Sequence, residues 1–185
     1  KHSCDAMRYA IDLIYDYDDK KAHEVVRLED LVDEYEDHLN DYLSKVATTD
    51  LSEKDGHTLA SLLHSTNDFE RISDHALNIK ESIEKMHEEG TTFSESALTE
   101  LHVFTDAILE ILKTTDSALK NDDIELVKRI DPLEDTIDKL NLEINDHHVE
   151  RLQSGECTVE QGLYLSDIMV DLERVADHCS NIAAY

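Results

Sequence analysis

Asp68-Phe-Glu-Arg-Ile-Ser-Asp-His-Ala-Leu-Asn-Ile79 returns 103 residues later as Asp171-Leu-Glu-Arg-Val-Ala-Asp-His-Cys-Ser-Asn-Ile182. Both copies carry Glu-Arg, then Asp-His, then Asn-Ile at the same spacing. That separation is too wide for a small solenoid repeat and indicates two homologous halves, 1–92 and 93–185. A second block keeps the same order: Leu28-Glu-Asp-Leu-Val-Asp33 answers to Leu133-Glu-Asp-Thr-Ile-Asp138, 105 residues on. The first half therefore carries a two-residue insertion between its blocks. Two blocks repeated in order at a nearly constant offset point to duplication.

Around these blocks the apolar residues recur at intervals of three and four, which predicts helices throughout. Helix 1 is expected over 3–17 from Met7, Ile11 and Ile14. Helix 2 is expected over 20–47, on a stripe of Val25, Leu28, Val32, Tyr35, Leu39, Tyr42 and Val46. Asp18-Asp19 caps or breaks the chain between them. Ser52 is placed to cap helix 3, expected over 53–88 and stopped by Gly90. Helices over 95–119, 123–152 and 158–183 complete the second half. Gln153-Ser-Gly155 separates the last two, and Thr158 suits the N-cap of the final one. Pro132 falls inside a pattern that continues on both sides, so a kink is expected there. The fold class is all-α: duplicated three-helix bundles forming a six-helix domain, with the first helix read as truncated.

Composition bounds the chemistry. With 185 residues, one proline, four glycines and 40% apolar residues, the chain can bury a core without staples, as one domain or two fused bundles. The three cysteines Cys4, Cys157 and Cys179 are odd in number and lack Cys-x-x-Cys spacing, which reads as reduced thiols in a cytosolic setting. Cys179 lies beside a candidate site, so an accessory role for it is open. The net charge of −27 disfavours nucleic acid and anionic membrane as partners and attracts cations. No run of 18 apolar residues occurs, so no direct membrane insertion by this chain is expected.

Each half places two acidic pairs four residues apart, a spacing that sets both members on one helix face. They are Glu29/Asp33 and Glu70/Asp74 in the first half, and Glu134/Asp138 and Glu173/Asp177 in the second. Asp30 and Asp135 add a neighbour to each. Converging carboxylates repel unless cations or protons offset them, and an oxygen-rich shell suits a hard metal ion. The competing reading is a solvated flank paired with Arg71, Arg174 and nearby lysines. His75 and His178 follow the acids at about 100° around the helix, which favours a helix-surface or interhelix hydrogen-bonding role over a ligand role or one supporting a ligand. Asn78 and Asn181 share the side of Asp74 and Asp177, where each suits orienting a carboxylate or a polar interhelix contact.

The two blocks and the two motif copies together resemble the PhoU domain family over essentially the whole chain. The resemblance implies two three-helix bundles related by pseudo-symmetry, and metal clusters held by the eight carboxylates of the acidic pairs. The implied cofactor is a divalent or trivalent metal among Fe, Mn, Mg and Zn, with a multinuclear cluster allowed. Free-standing PhoU proteins usually carry glycine at the positions of Ser73 and Ala176 and a small apolar residue at those of His75 and His178. The form present here is most like the cytoplasmic C-terminal PhoU-type domain of Na/phosphate cotransporter family II proteins.

The resemblance implies a cytoplasmic regulatory or accessory metal-binding domain of such a cotransporter, with the membrane-embedded transporter portion as its partner. In that setting it would lie at the cytoplasmic face of the cell membrane, with a homo-oligomer allowed. The alternatives are a free-standing PhoU-type regulator of phosphate transport and signalling, and a structural interaction bundle without metal. An enzyme is not expected. A ferritin-like oxidase needs two Glu-x-x-His motifs, and Glu84-Lys-Met-His87 has no second copy. No glycine-rich phosphate loop and no Ser/His/Asp or Cys/His constellation occurs either.

Overall fold

A computed structural model describes all residues, 1–185. Six long helices and one single turn follow one another: α1 (His2–Tyr15), α2 (Asp19–Ala47), α3 (Glu53–Glu89), α4 (Glu95–Asn121), α5 (Ile124–Val127), α6 (Ile130–Ser154) and α7 (Val159–Ala184). Helices α1, α2 and α3 pack on one another, as do α4, α6 and α7. The all-α architecture of six long helices expected from the repeat is the one observed.

The helix ends follow local chemistry. Asp18 caps α2 by accepting from the amides of Lys20 at 2.8 Å and Lys21 at 3.0 Å, and Ser52 caps α3 through the amide of Asp55. Thr158 and Gln161 form a reciprocal capping box at the start of α7, which satisfies two otherwise orphaned donors. Gly90 and Gly155 end α3 and α6 at φ values of 66° and 76°, the left-handed region that glycine enters without cost.

The expected fifth helix over 123–152 is instead two elements, and the interruption is not at the proline. The chain turns at Lys128 and Arg129 and restarts at Ile130. Pro132 is the third residue of α6, within the first turn, whose amides have no intrahelical partner, so its missing donor costs little there. A second difference concerns α2. Val25, Leu28 and Val32 are buried, but Tyr35, Leu39 and Tyr42 on the same stripe are 52%, 45% and 63% exposed. The stripe is continuous in sequence, while the 14 residues of α1 cover only the first half of the 29-residue α2.

One apolar cluster of 34 buried residues runs through α1, α2, α3, α4, α6 and α7, so the halves share a core. They meet chiefly where α3 packs on α7, as extensively as α3 packs on α2. This seam is antiparallel. It runs from Ser61, whose hydroxyl donates to the carbonyl of Tyr185 at 3.2 Å, to Glu89, which accepts from the Tyr164 hydroxyl at 2.7 Å.

Candidate functional site

The acidic pairs lie on the faces that the duplication predicts. In the first half Glu29 of α2 is close enough to Asp74 of α3 for their charges to interact, with Asp30 and Asp33 adjacent. In the second half Glu134 of α6 feels Asp138 on its own helix and Asp177 on α7. The fold therefore brings carboxylates of α2 and α3, and of α6 and α7, near one another. Glu173 and Asp33 belong to the same rows, and Asp33 is exposed.

Packing and mutual repulsion oppose ionisation along these rows. Burial, then the charges of Asp74, Asp30 and Asp33, raise Glu29 above the usual carboxylate range. Burial, then Asp138, Asp177, Asp135 and Asp131, raise Glu134, and burial followed by Asp138 raises Asp177. Glu70 is pushed furthest, from 4.5 to about 7, by burial and then by the charge of Asp74, with which it shares a hydrogen bond. The expected arginine partners give little relief. Arg71 approaches Glu70 only at 3.8 Å, and Arg174 lines an open groove beside Asp167 and Asp171.

A raised carboxyl destabilises the folded state once it ionises. Stability from Glu70 is therefore fully present below about pH 4.5 and is lost as pH rises from there through about 7. Water over this face screens the effect and holds it to about 1 kcal/mol. Glu70→Gln is expected to raise the unfolding midpoint at pH 8 and to leave it unchanged at pH 4.5, read by thermal denaturation at both values. An equal shift at the two pH values would remove ionisation as the cause.

The acidic pairs offer a donor set for a metal ion. Its oxygens are of the right kind for a hard cation, but their placement does not fit. No group of three or more His, Cys, Asp or Glu side chains stands in position to hold an ion. The expectation of a metal-binding domain is corrected accordingly. The acids that meet across α2 and α3, and across α6 and α7, form two acidic ridges in which no three donors close around an ion.

The seam between the halves holds a second constellation, whose aspartates the sequence did not mark. His75 of α3 is bonded through Nδ1 to Asp171 Oδ1 of α7 at 2.8 Å, and His178 of α7 through Nδ1 to Asp68 Oδ1 of α3 at 2.7 Å. The rings stack between the two bonds with centroids 5.5 Å apart. Asn78 donates to the same Asp171 oxygen at 3.3 Å. Asp68 is 5% exposed and His75 6%, so each supplies a partner that the other helix would otherwise lack. The histidines thus take the interhelix role expected of them.

A sequence signal for Asp68 and Asp171 did exist. Each opens its motif copy seven residues before the histidine, and seven residues return to within about 20° of the same helix face. On antiparallel helices that face-sharing lets each histidine meet the other helix's aspartate.

The cysteines are free. Cys179 has no solvent exposure, and burial pushes its thiol up to about 12, which leaves it a packing residue and gives it no accessory role.

Against this geometry, comparison with known proteins is decisive for the family. The PhoU domain model matches residues 1–83 and again residues 103–185. The chain belongs to the PhoU family. It is 27% identical over 179 residues to the phosphate-specific transport system accessory protein PhoU homolog 1 of Thermotoga maritima, across 96% of this chain and 76% of that protein. The crystal structure of PhoU from Pseudomonas aeruginosa superimposes with a TM-score of 0.91 at 20% identity, covering 99% of this chain and 87% of the other. As a member of this family the chain is not an enzyme.

These matches overturn the cotransporter reading and, with it, a membrane-embedded transporter portion as partner: they run to PhoU proteins. The features behind that reading are spent inside the PhoU fold. His75 and His178 bond across the α3–α7 seam. Ser73 and Ala176 are buried at 1% and 0% exposure, and the Ser73 hydroxyl donates to the carbonyl of Glu70 at 2.8 Å. The two histidines thus serve packing between the halves, and Ser73 and Ala176 lie buried within it. No helix is long and apolar enough to cross a membrane.

Proposed function

We propose that the chain acts as a free-standing PhoU-type regulator of phosphate transport and signalling in the cytoplasm. The observation that carries this reading is the match of both halves to the PhoU domain, together with a relative named as an accessory protein of phosphate-specific transport. The two acidic ridges supply its working faces. They are reproduced in both halves and concentrate charge that their own arginines leave largely uncompensated. Such ridges favour basic partner surfaces and speed encounter with them.

Deleting the gene is expected to leave radiolabelled phosphate uptake high in phosphate-replete cells, and supplying the chain is expected to restore shut-off. Normal shut-off without the protein would refute the reading. A Glu29→Gln/Asp33→Asn/Glu134→Gln/Asp138→Asn variant, checked for helicity by circular dichroism, is expected to fold and to fail in complementation. Full complementation by it would remove the ridges from the working surface while leaving the regulatory role standing.

A further inference from the structure

Where α1 ends and α3 turns into α4, the two halves border a half-open cavity of about 310 Å³. That volume is at the lower end of the range for small-molecule sites, which favour junctions between structural units. Met86, Phe93 and Leu98 form an apolar wall, and Tyr15 and Tyr17 an aromatic one. The aromatic wall is held in place before any ligand arrives. The Tyr15 ring stacks on His102 with centroids 3.8 Å apart, and its hydroxyl shares a 2.8 Å hydrogen bond with Thr105. Tyr17 stacks on His87 at 4.2 Å.

Asp16 is the one carboxylate that lines this cavity, beside the His87 imidazole, and no lysine or arginine lines it. Tyr17 donates from its hydroxyl to Glu84 at 3.4 Å, and Glu84 also pairs with Lys80 at 2.6 Å. An anion would meet the Asp16 carboxylate there. An ammonium group would meet aromatic side chains and that carboxylate together, the combination that recognises organic cations. The acidic ridges contribute no residue to this cavity, so it stands apart from the regulatory surface.

We propose that this cavity binds a small organic cation, an ammonium group carried on an apolar or aromatic body. The body occupies the wall of Met86, Phe93 and Leu98, and the charge lies toward Tyr17 and Asp16. The protein's net charge of −27 raises the local concentration of such a ligand.

Three isosteric probes test this: benzylamine, charged at neutral pH, benzyl alcohol, and benzoate. The chain has three methionines, and only Met86 lines the cavity. Met7 and Met169 are 0% and 1% exposed elsewhere in the core, so their methyl resonances are internal controls. Benzylamine is expected to shift the Met86 methyl saturably and to leave the other two in place. Benzyl alcohol is expected to bind about tenfold more weakly, and benzoate weaker still.

Asp16 is exposed at the end of α1 and its side chain makes no hydrogen bond in the fold, so Asp16→Asn leaves the structure intact. That variant is expected to weaken benzylamine several-fold and to leave benzyl alcohol unchanged. Equal binding of amine and alcohol, unchanged amine binding by Asp16→Asn, shifts at all three methionines, or no saturable shift would each overturn the proposal.

Discussion

Phe104→Ala is expected to lower the unfolding midpoint by roughly 10 °C, the largest effect of any single substitution considered. Phe104 lies in α4 with no solvent exposure and is the largest of the fully buried side chains. Its helix packs on α6 and α7 within the second half and reaches α1 of the first. Its neighbour Thr105 carries the hydrogen bond to Tyr15 of α1. Truncation removes the transfer free energy of the ring and leaves a cavity that helices pinned on several sides cannot close, about 3–5 kcal/mol together. In a chain of this size each kcal/mol moves the midpoint by about 2–4 °C.

The adjacent Val103 supplies the control. It is 55% exposed, and Val103→Ala is expected to stay within about 0.5 kcal/mol. Because the buried cluster is continuous across both halves, Phe104→Ala is expected to keep a single cooperative transition. Two separated transitions by calorimetry would show that the halves unfold independently.

The next largest effect is expected at the seam. His178→Ala is expected to cost about 2–3 kcal/mol, because it strips a hydrogen bond from a carboxylate that water scarcely reaches. The side chain of Asp68 is 7% exposed. His75→Ala is expected to cost less. Its partner Asp171 is 14% exposed and still accepts from Asn78. The rings stack 5.5 Å apart between the two bonds, so the double variant is expected to fall short of the sum of the singles. Denaturant unfolding of the three variants measures this coupling. A cost for His178→Ala below about 0.5 kcal/mol, or strict additivity, would show that the two pairs do not act as one lock.

The crossed bonds also account for the features that resemble a cotransporter domain. The Asp-His-Ala and Asp-His-Cys forms of the motif are most like a transporter-attached domain. In the fold they are halves of a reciprocal clasp, His75 with Asp171 and His178 with Asp68. A residue used to join two halves of a chain carries no information about a further partner. The acidic pairs show the same limit. Their four-residue spacing places each pair correctly on one face, and the charges of Glu29 and Asp74 do meet across α2 and α3. Whether three donors close around an ion depends on side-chain directions from two helices at once, and here they do not.

Among the helix ends, sequence and structure agree most closely where the controlling contacts are local. Ser52, Gly90, Asp18 and Thr158 cap or stop their helices through groups within a few residues of themselves. At residues 123–152 they part. The apolar period carries through the break at Lys128 and Arg129, and Pro132 draws attention to a position where the first turn tolerates it. On α2 the stripe from Val25 to Tyr42 is uniform in sequence, yet only its first part is buried. Periodicity states which face is apolar, not how much of it a neighbour covers.

The sequence by itself determined the helices, most of their ends, the duplication and the family. Those follow from hydrogen bonds and side-chain periods that span a few residues, and from the repetition of one half in the other. Only the tertiary structure decided that α3 and α7 run antiparallel with crossed histidine–aspartate bonds, that no three acidic donors close around an ion, and that the halves border a half-open cavity. These depend on the relative position of residues about a hundred apart in the chain, set by packing of the whole core at once, and no local period encodes it.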